Sequence, residues 1–345
     1  MTHSPSGPPP PQRLIMPDSS DTSLQAYLVT EVDGQVHAGP HTIRYEDLPE
    51  GEVEIEVEWS SLNFKDTLAA AGNRRVVGDL PHVPGIDAAG TVIADGREVL
   101  VTGYGLGAPH WGGWSERIRV PAEWVLARPE GIDARRAMQL GTAGLTAAMA
   151  VEAIKRGRVD PESGPVLVTG ATGGVGLLAV GLLAHLGYHV VASTGKPHQQ
   201  GLLESMGAAE VIGRDKVLAE SDRPLASARW AAAVDVVGGN TLAAIISGTR
   251  PQGTVAACGL VGGTEIATSV YPFLLRGVTL AGIDSAGCPL QLRVDLWNRL
   301  AGHWAFDGLD QFTSEITLDE LDASIELMRA GDHVGRTIVH LDHGN

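Results

Sequence analysis

The stretch PVLVTGATGGVGLLAVGLLAHLGYHVVASTGKP, residues 165–197, constrains the fold more than any other part of this chain. A β-branched run, VLVTG, enters a glycine-rich turn, an apolar segment of helical length follows, and a second β-branched run, HVVAS, closes the unit. Two strands separated by a helix predict a parallel pair, because parallel neighbours need a crossover that a tight hairpin cannot supply. The turn Ala171-Thr172-Gly173-Gly174-Val175-Gly176 has the form A-x-G-x-x-G. Gly173 lets the backbone approach a pyrophosphate, Gly176 lets the helix lie tight on the strand, and the helix N-terminus turns amide donors toward an anion. Thr172, Gly174 and Val175 complete the predicted cradle. Such a turn can also be only a tight strand-to-helix connection; its place between strand and helix, with a second strand following, favours a dinucleotide.

A site for NAD ends its second strand with an acid that accepts from the ribose 2′-hydroxyl. Here that position reads Ala192-Ser193-Thr194-Gly195-Lys196. A carboxylate would repel a 2′-phosphate, whereas the hydroxyl of Thr194, the free amide of Gly195 and the ammonium of Lys196 would bind it. Arg214, after the next strand, adds a second cation. The predicted cofactor is NADPH; the alternative is that both cations are ordinary solvated surface charges.

Six β-branched runs between residues 165 and 284 alternate with helical patterns, which predicts a doubly wound parallel sheet. The preceding region has another texture. EVEIEVEWS, residues 52–60, alternates strictly and predicts a strand with one wet face. With AYLVTEV, GTVIA, EVLVTG and WSERIRV it suggests an irregular antiparallel β-domain reaching to about residue 142. The end of the chain, with its last strand TIVHL, is too small to stand alone and is expected to return to that first domain.

Several function classes drop out. A formal net charge of -16 repels nucleic acid, and no Lys/Arg stripe interrupts it. No apolar run is expected to span a bilayer, so no membrane partner is predicted. Cys258 and Cys288 are the only cysteines, which leaves no disulfide framework or thiolate zinc site and suits a reducing cytoplasm. The opening MTHSPSGPPPPQR lacks an apolar core and reads as a disordered tail over residues 1–23.

SSLNFKD (residues 60–66), VPGIDAAGTV (83–92), HWGGWSE (110–116), GTAGLTA (141–147) and GRTIV (335–339) surround the dinucleotide turn in fixed order. Together they resemble the medium-chain dehydrogenase/reductase superfamily, in particular its zinc-free branch of acrylyl-CoA and quinone reductases. The resemblance implies an α/β chain. On that resemblance a GroES-like β-rich catalytic domain is expected over residues 24–142 and 285–345, and a Rossmann NADPH-binding domain over 143–284. It also implies a homodimer, joined through the last Rossmann strand near Val278–Ile283. Zinc-dependent members carry a Cys and a His where this chain has Asn63 and Ile86. Neither can ligate zinc, so no metal is expected.

The implied chemistry is NADPH-dependent reduction of the activated C=C bond of a short enoyl-CoA. Quinone reduction and a non-catalytic NADPH-binding role are the alternatives. The resemblance places Asn63, Asp66, Asp87 and Arg336 as catalytic or substrate-recognition residues. It places Phe64, Leu260, Leu274 and Ser285 against the cofactor, with Phe64 standing where a tyrosine is usual. Each has a plainer reading: Asn63 and Asp66 as a helix cap, Asp87 as a turn brace, Arg336 as a structural ion pair, Leu260 and Leu274 as core.

Overall fold

The computed structural model describes residues 23–343. The expected tail therefore lies outside the described residues, except for Ser23, which opens the first strand.

Fifteen strands are present among them. In chain order they are β1 (Ser23–Val32), β2 (Gln35–Arg44), β3 (Val53–Leu62), β4 (Asp87–Val92), β5 (Glu98–Thr102), β6 (Arg117–Val120), β7 (Leu126–Ala127) and β8 (Val166–Val168). There follow β9 (Val190–Thr194), β10 (Glu210–Gly213), β11 (Trp230–Asp235), β12 (Thr249–Ala257), β13 (Thr279–Gly282), β14 (Thr313–Ile316) and β15 (Arg336–His340). Sequence patterning misses β2. Its GPH segment breaks the alternation, and the strand exists because Asp33 and Gly34, at φ 53° and 75°, form the two-residue turn that pairs Val32 with Gln35.

The glycine-turn unit builds a six-stranded sheet in the order β10-β9-β8-β11-β12-β13, every neighbouring pair parallel. This is the doubly wound arrangement in which the strand order reverses beside β8, at whose C-terminal end the turn lies. A seven-stranded sheet, β14-β15-β3-β4-β5-β7 with β6 also on β3, forms the other lobe. The alternating segment became its central strand: Ile55 and Val57 are buried, while the glutamates between them face outward or half outward. The end of the chain does return here, with β15 antiparallel to β3.

One helix, Ala134–Arg156, joins the lobes and packs on β3, β4, β11, β12, β15 and the dinucleotide helix Gly174–His185. It is long and apolar enough to cross a membrane, a length that the expectation of no bilayer-spanning run overlooked, but 78% of its most apolar window is buried within the molecule. It breaks once. Gly141 has φ 52° and ψ -153°, and a Cβ there would lie 2.5 Å from a carboxylate oxygen of Asp87 and 2.9 Å from Arg336. Only glycine fits that backbone and that space. The proposed boundary between residues 142 and 143 falls at this break.

Candidate active site

The break at Gly141 opens a second helix N-terminus inside the molecule, and Asp87 fills it. At the start of β4, the Asp87 carboxylate accepts from the backbone N–H of Thr142 at 2.9 Å and from Thr142 Oγ1 at 2.5 Å. A carboxylate at a helix N-terminus satisfies orphan amides and meets the positive end of the helix dipole. Asp87 also accepts from Ser61 Oγ at 2.7 Å and Asn63 Nδ2 at 2.9 Å, and Arg336 Nη2 stands 4.0 Å away.

Arg336, at the start of β15, is only 2% exposed. Its Nε donates to the carbonyl of Gln139, Nη1 to the carbonyl of Leu62 and to Asn63 Oδ1, and Nη2 to the carbonyl of Met138. Burial pushes its pKa down, and the neighbouring Asp87 and Asp66 oppose that shift. The carbonyls of Met138 and Gln139 belong to the last turn before the Gly141 break, so Arg336 caps the first half of the helix as Asp87 caps the second. Asn63, at the end of β3, joins the two: its amide oxygen accepts from Arg336 and its amide nitrogen serves Asp87.

Asp66 lies one layer further in. It accepts from the backbone N–H groups of Asn63 at 2.8 Å, Ile86 at 2.9 Å and Gly85 at 3.2 Å. It therefore closes the helix start Phe64–Ala70 and braces the Pro84-Gly85 turn at once. Burial raises its pKa most, Asp87 adds to the rise, the amides oppose it, and the carboxyl ends up at about 7. Its unfolded value is about 3.9, so the folded chain holds the extra proton between the two values. The stability this contributes is complete below about pH 4 and is lost as pH rises through 7. Compared with Asp66→Asn by urea titration, the wild type should lose up to about 1.4 kcal/mol per pH unit across that window. Parallel pH curves for the two proteins would remove the buried-acid assignment.

In front of this network is a cavity of about 200 Å³ between the lobes. Its apolar wall includes Phe64, Ile86, Leu106, Ala143, Val175 and Ile283, and its polar groups come from Asn63, Lys65, Tyr104, Thr142, Thr146 and Ser285. Of the four residues expected to do chemistry, Asn63 alone reaches the lining; Asp66, Asp87 and Arg336 stand behind the wall. Phe64, Val175 and Ser285 reach it from the expected cofactor set. Leu260 and Leu274 do not, and the reading of them as core is also overturned: they are 58% and 75% exposed. Leu274 sits on the helix Tyr271–Arg276, which turns Pro272 inward and leaves Leu274 and Leu275 outside, beside the edge strand β13.

The sequence reading missed several groups. Thr142 and Thr146 lie in GTAGLTA, whose first glycine was the available signal: a glycine inside a helical pattern can mark a break, and the residue after it then faces the gap. Thr146 Oγ1 lies 2.7 Å from the Thr142 carbonyl and 2.8 Å from Ser285 Oγ. Arg293, 1% exposed, donates to the carbonyls of Thr102, Ser285 and Ala286 and lies 4.2 Å under the Tyr104 ring, which stacks on Trp124. It pins the far rim of the cavity. Nothing local in PLQLRVDLW announces that role.

The glycine turn meets the demands of a dinucleotide. Gly173 caps the helix Gly174–His185, and a Cβ on Gly176 would strike the Gly170 carbonyl and the Ala171 backbone. At the end of β9, Thr194 Oγ1 accepts the N–H of Lys196 at 3.0 Å, and the Arg214 guanidinium lies directly over Gly195. Burial lowers the Lys196 pKa, Arg214 lowers it further, and Asp332 acts in the opposite sense. Two cations held side by side, without an ion-pair partner among the described residues, fit a phosphate. Lys196 Nζ donates to the His333 carbonyl at 2.6 Å, and the N–H of Gly335 donates to the Thr172 carbonyl at 2.9 Å, so the loop before β15 is tied to the turn. A zinc site does not fit: Asn63 and Ile86 offer no ligand, and among the described residues no three His, Cys, Asp or Glu side chains converge as a metal needs.

Comparison with known proteins agrees with this architecture. Residues 49–130 match the alcohol dehydrogenase GroES-like domain and residues 174–298 the family described as zinc-binding dehydrogenase. Acrylyl-CoA reductase AcuI of Ruegeria pomeroyi is 42% identical over 90% of this chain and 97% of its own. YhdH of Escherichia coli K-12, solved with bound NADPH, superposes with a TM-score of 0.88 at 43% identity, over 92% of this chain and all of the other. YhfP of Bacillus subtilis, named for quinone oxidoreduction, is 42% identical over 93% of this chain and 99% of its own. Its structure with bound NAD superposes with a TM-score of 0.90, over 93% of this chain and 100% of that one. Two lobes, a glycine turn at the crossover and relatives of this closeness make the chain a member of the medium-chain dehydrogenase/reductase family.

Proposed function

We propose that this protein is an NADPH-dependent reductase of the activated C=C bond in a short enoyl-CoA such as acrylyl-CoA, giving the saturated acyl-CoA. The observation that carries the reading is the inter-lobe cavity, which runs from Val175 in the dinucleotide turn to the largely apolar wall of the other lobe. The glycine turn and its helix N-terminus hold the pyrophosphate, and Lys196 with Arg214 holds the 2′-phosphate. When bound, the reduced nicotinamide supplies a hydride. The apolar wall excludes water from the reacting carbons, and polar groups at the cavity face the charge that reduction places on the thioester oxygen. Asn63, Asp87 and Arg336 act as positioning residues, keeping β3, β4 and the broken helix in register around the cavity. The names of the AcuI relatives support the substrate class, and the absence of metal ligands at Asn63 and Ile86 directs polarisation to protein donors.

Quinone reduction is the second reading, favoured by the apolar lining and by the likeness to YhfP. NADPH consumption with acrylyl-CoA, crotonyl-CoA and a benzoquinone under one set of conditions separates the two. Turnover of the thioesters at a kcat/KM at least about tenfold above the quinone supports the first reading. Quinone turnover alone replaces it with the second, and no turnover with any acceptor would favour a binding protein.

The working state is a homodimer in the cytoplasm. The edge of β13, which carries the exposed Leu280, and the exposed Leu274 and Leu275 of the helix before it offer an unpaired strand and apolar side chains to a second copy. Light scattering should give twice the chain mass of 36.1 kDa for the wild type and the single mass for Leu274→Asp. Two equal masses at the monomer value would remove the dimer.

A further inference from the structure

The four residues expected to touch substrate have few or no free donors in this structure. Arg336 spends its donors on three carbonyls and Asn63 Oδ1, Asn63 Nδ2 faces Asp87 and Ser61, and Asp66 and Asp87 are wholly buried acceptors. The other polar groups on the lining are mostly engaged too. Thr142 Oγ1 donates to Asp87, Thr146 and Ser285 face each other, and the Cys258 thiol lies against the Asp235 carbonyl. What remains is the Tyr104 hydroxyl and one cation. Lys65, half-buried on the first turn of the helix after Asn63, lines the cavity, and its side chain makes no hydrogen bond or ion pair with any described residue. Its backbone is fixed by the Asn63–Asp66 closure on either side of it, so it has a rigid base and an uncommitted head.

We propose that Lys65 is the catalytic electrophile of the reductase, donating to the thioester oxygen as that oxygen gains charge. The inference rests on the enoyl reduction proposed above. A hydride forms the new C–H bond at the β-carbon, the C=C electron pair moves toward the carbonyl, and the oxygen carries the negative charge. A solvent proton then adds to the α-carbon, which completes the saturated thioester; Lys65 keeps its own protons throughout. An ammonium at the edge of a largely apolar cavity suits that task, because the field of a charge is stronger where water is excluded.

Lys65→Met, Lys65→Arg and Tyr104→Phe test the assignment on the full-length protein. Tyr104 is the rival donor, since its ring is held by Trp124 and Arg293 and survives loss of the hydroxyl. Each is assayed with acrylyl-CoA and with S-acrylyl-N-acetylcysteamine, which lacks the phosphates of coenzyme A, and NADPH affinity is read separately by fluorescence titration. The expected result is a kcat about 100-fold lower for Lys65→Met on both thioesters, with NADPH affinity unchanged, and partial recovery in Lys65→Arg. A loss confined to acrylyl-CoA would assign Lys65 to the coenzyme A phosphates and overturn the proposal. An undiminished kcat in Lys65→Met, or an equal loss in Tyr104→Phe, overturns it as well. If the wild type reduces only quinones, the enoyl reading fails by itself, and the kcat of Lys65→Met on the quinone decides the electrophile role.

Discussion

Asp87→Ala is expected to cost the folded chain about 4 kcal/mol, the range found when one partner of a buried charged pair is removed. The size follows from what the carboxylate holds. Ser61 Oγ, Asn63 Nδ2 and both donors of Thr142 lose their acceptor, and the nearby charge of Arg336 loses its buried counterpart. Water cannot replace the acceptor without entering a site that is fully closed. Asp87→Asn keeps the volume but swaps one acceptor for a donor, so part of the loss should return, about 2 kcal/mol. The effect on turnover should exceed the effect on NADPH affinity, because the cavity wall shifts while the glycine turn stays on its own sheet. A urea midpoint within error of wild type in both variants would show that the network is dispensable.

Lys196→Glu is expected to lower kcat/KM for NADPH about 100-fold while leaving NADH within a few-fold of its original value. One charge-assisted hydrogen bond to a phosphate is worth about 1.5–3 kcal/mol, roughly 10- to 150-fold, and a carboxylate in its place adds repulsion, which brings the expected loss to about two decades. Arg214 over Gly195 keeps part of the site, which is why the single substitution should weaken NADPH without abolishing its use. Lys196→Met separates the two contributions, since it removes the bond without adding the repulsion. Steady-state titrations of both nucleotides check the expectation, and equal use of the two cofactors by the wild type would sink the 2′-phosphate argument.

What could be read from the sequence was local. The glycine turn, the flanking β-branched runs and the alternating β3 segment each carry their own signal within a few residues, and they fixed the two sheets and the return of the chain end. The site was legible as residues but not as geometry. Asn63, Asp87 and Arg336 were singled out by motif and were expected at the cleft, because the family resemblance implies contact with substrate there. Asp87 and Arg336 are buried instead, while Asn63 reaches the cavity with its amide already engaged by both, and burial is tolerable because each buried group finds its partners. Those partners are far away in sequence: Arg336 meets Leu62 across 274 positions and Gln139 across 197. No pattern over a short window encodes such convergence. Leu274 failed in the opposite sense, since an apolar residue on a short helix looks like core until the helix is found to leave one face uncovered. Phe64 was legible as a departure from tyrosine, and the structure gives that departure a consequence. With no hydroxyl at this part of the lining, donation falls to other groups around the cavity.

The two stitches between the loop before β15 and the nucleotide-binding lobe, Lys196 to the His333 carbonyl and Gly335 to the Thr172 carbonyl, limit how this molecule can breathe. A jaw-like opening would have to unfasten these two stitches, whereas a visitor arriving past the exposed ring of Phe64 disturbs neither. Lys196, the residue proposed for the nucleotide's extra phosphate, is itself one of those fastenings, so filling its pocket and holding the lobes together draw on the same ammonium.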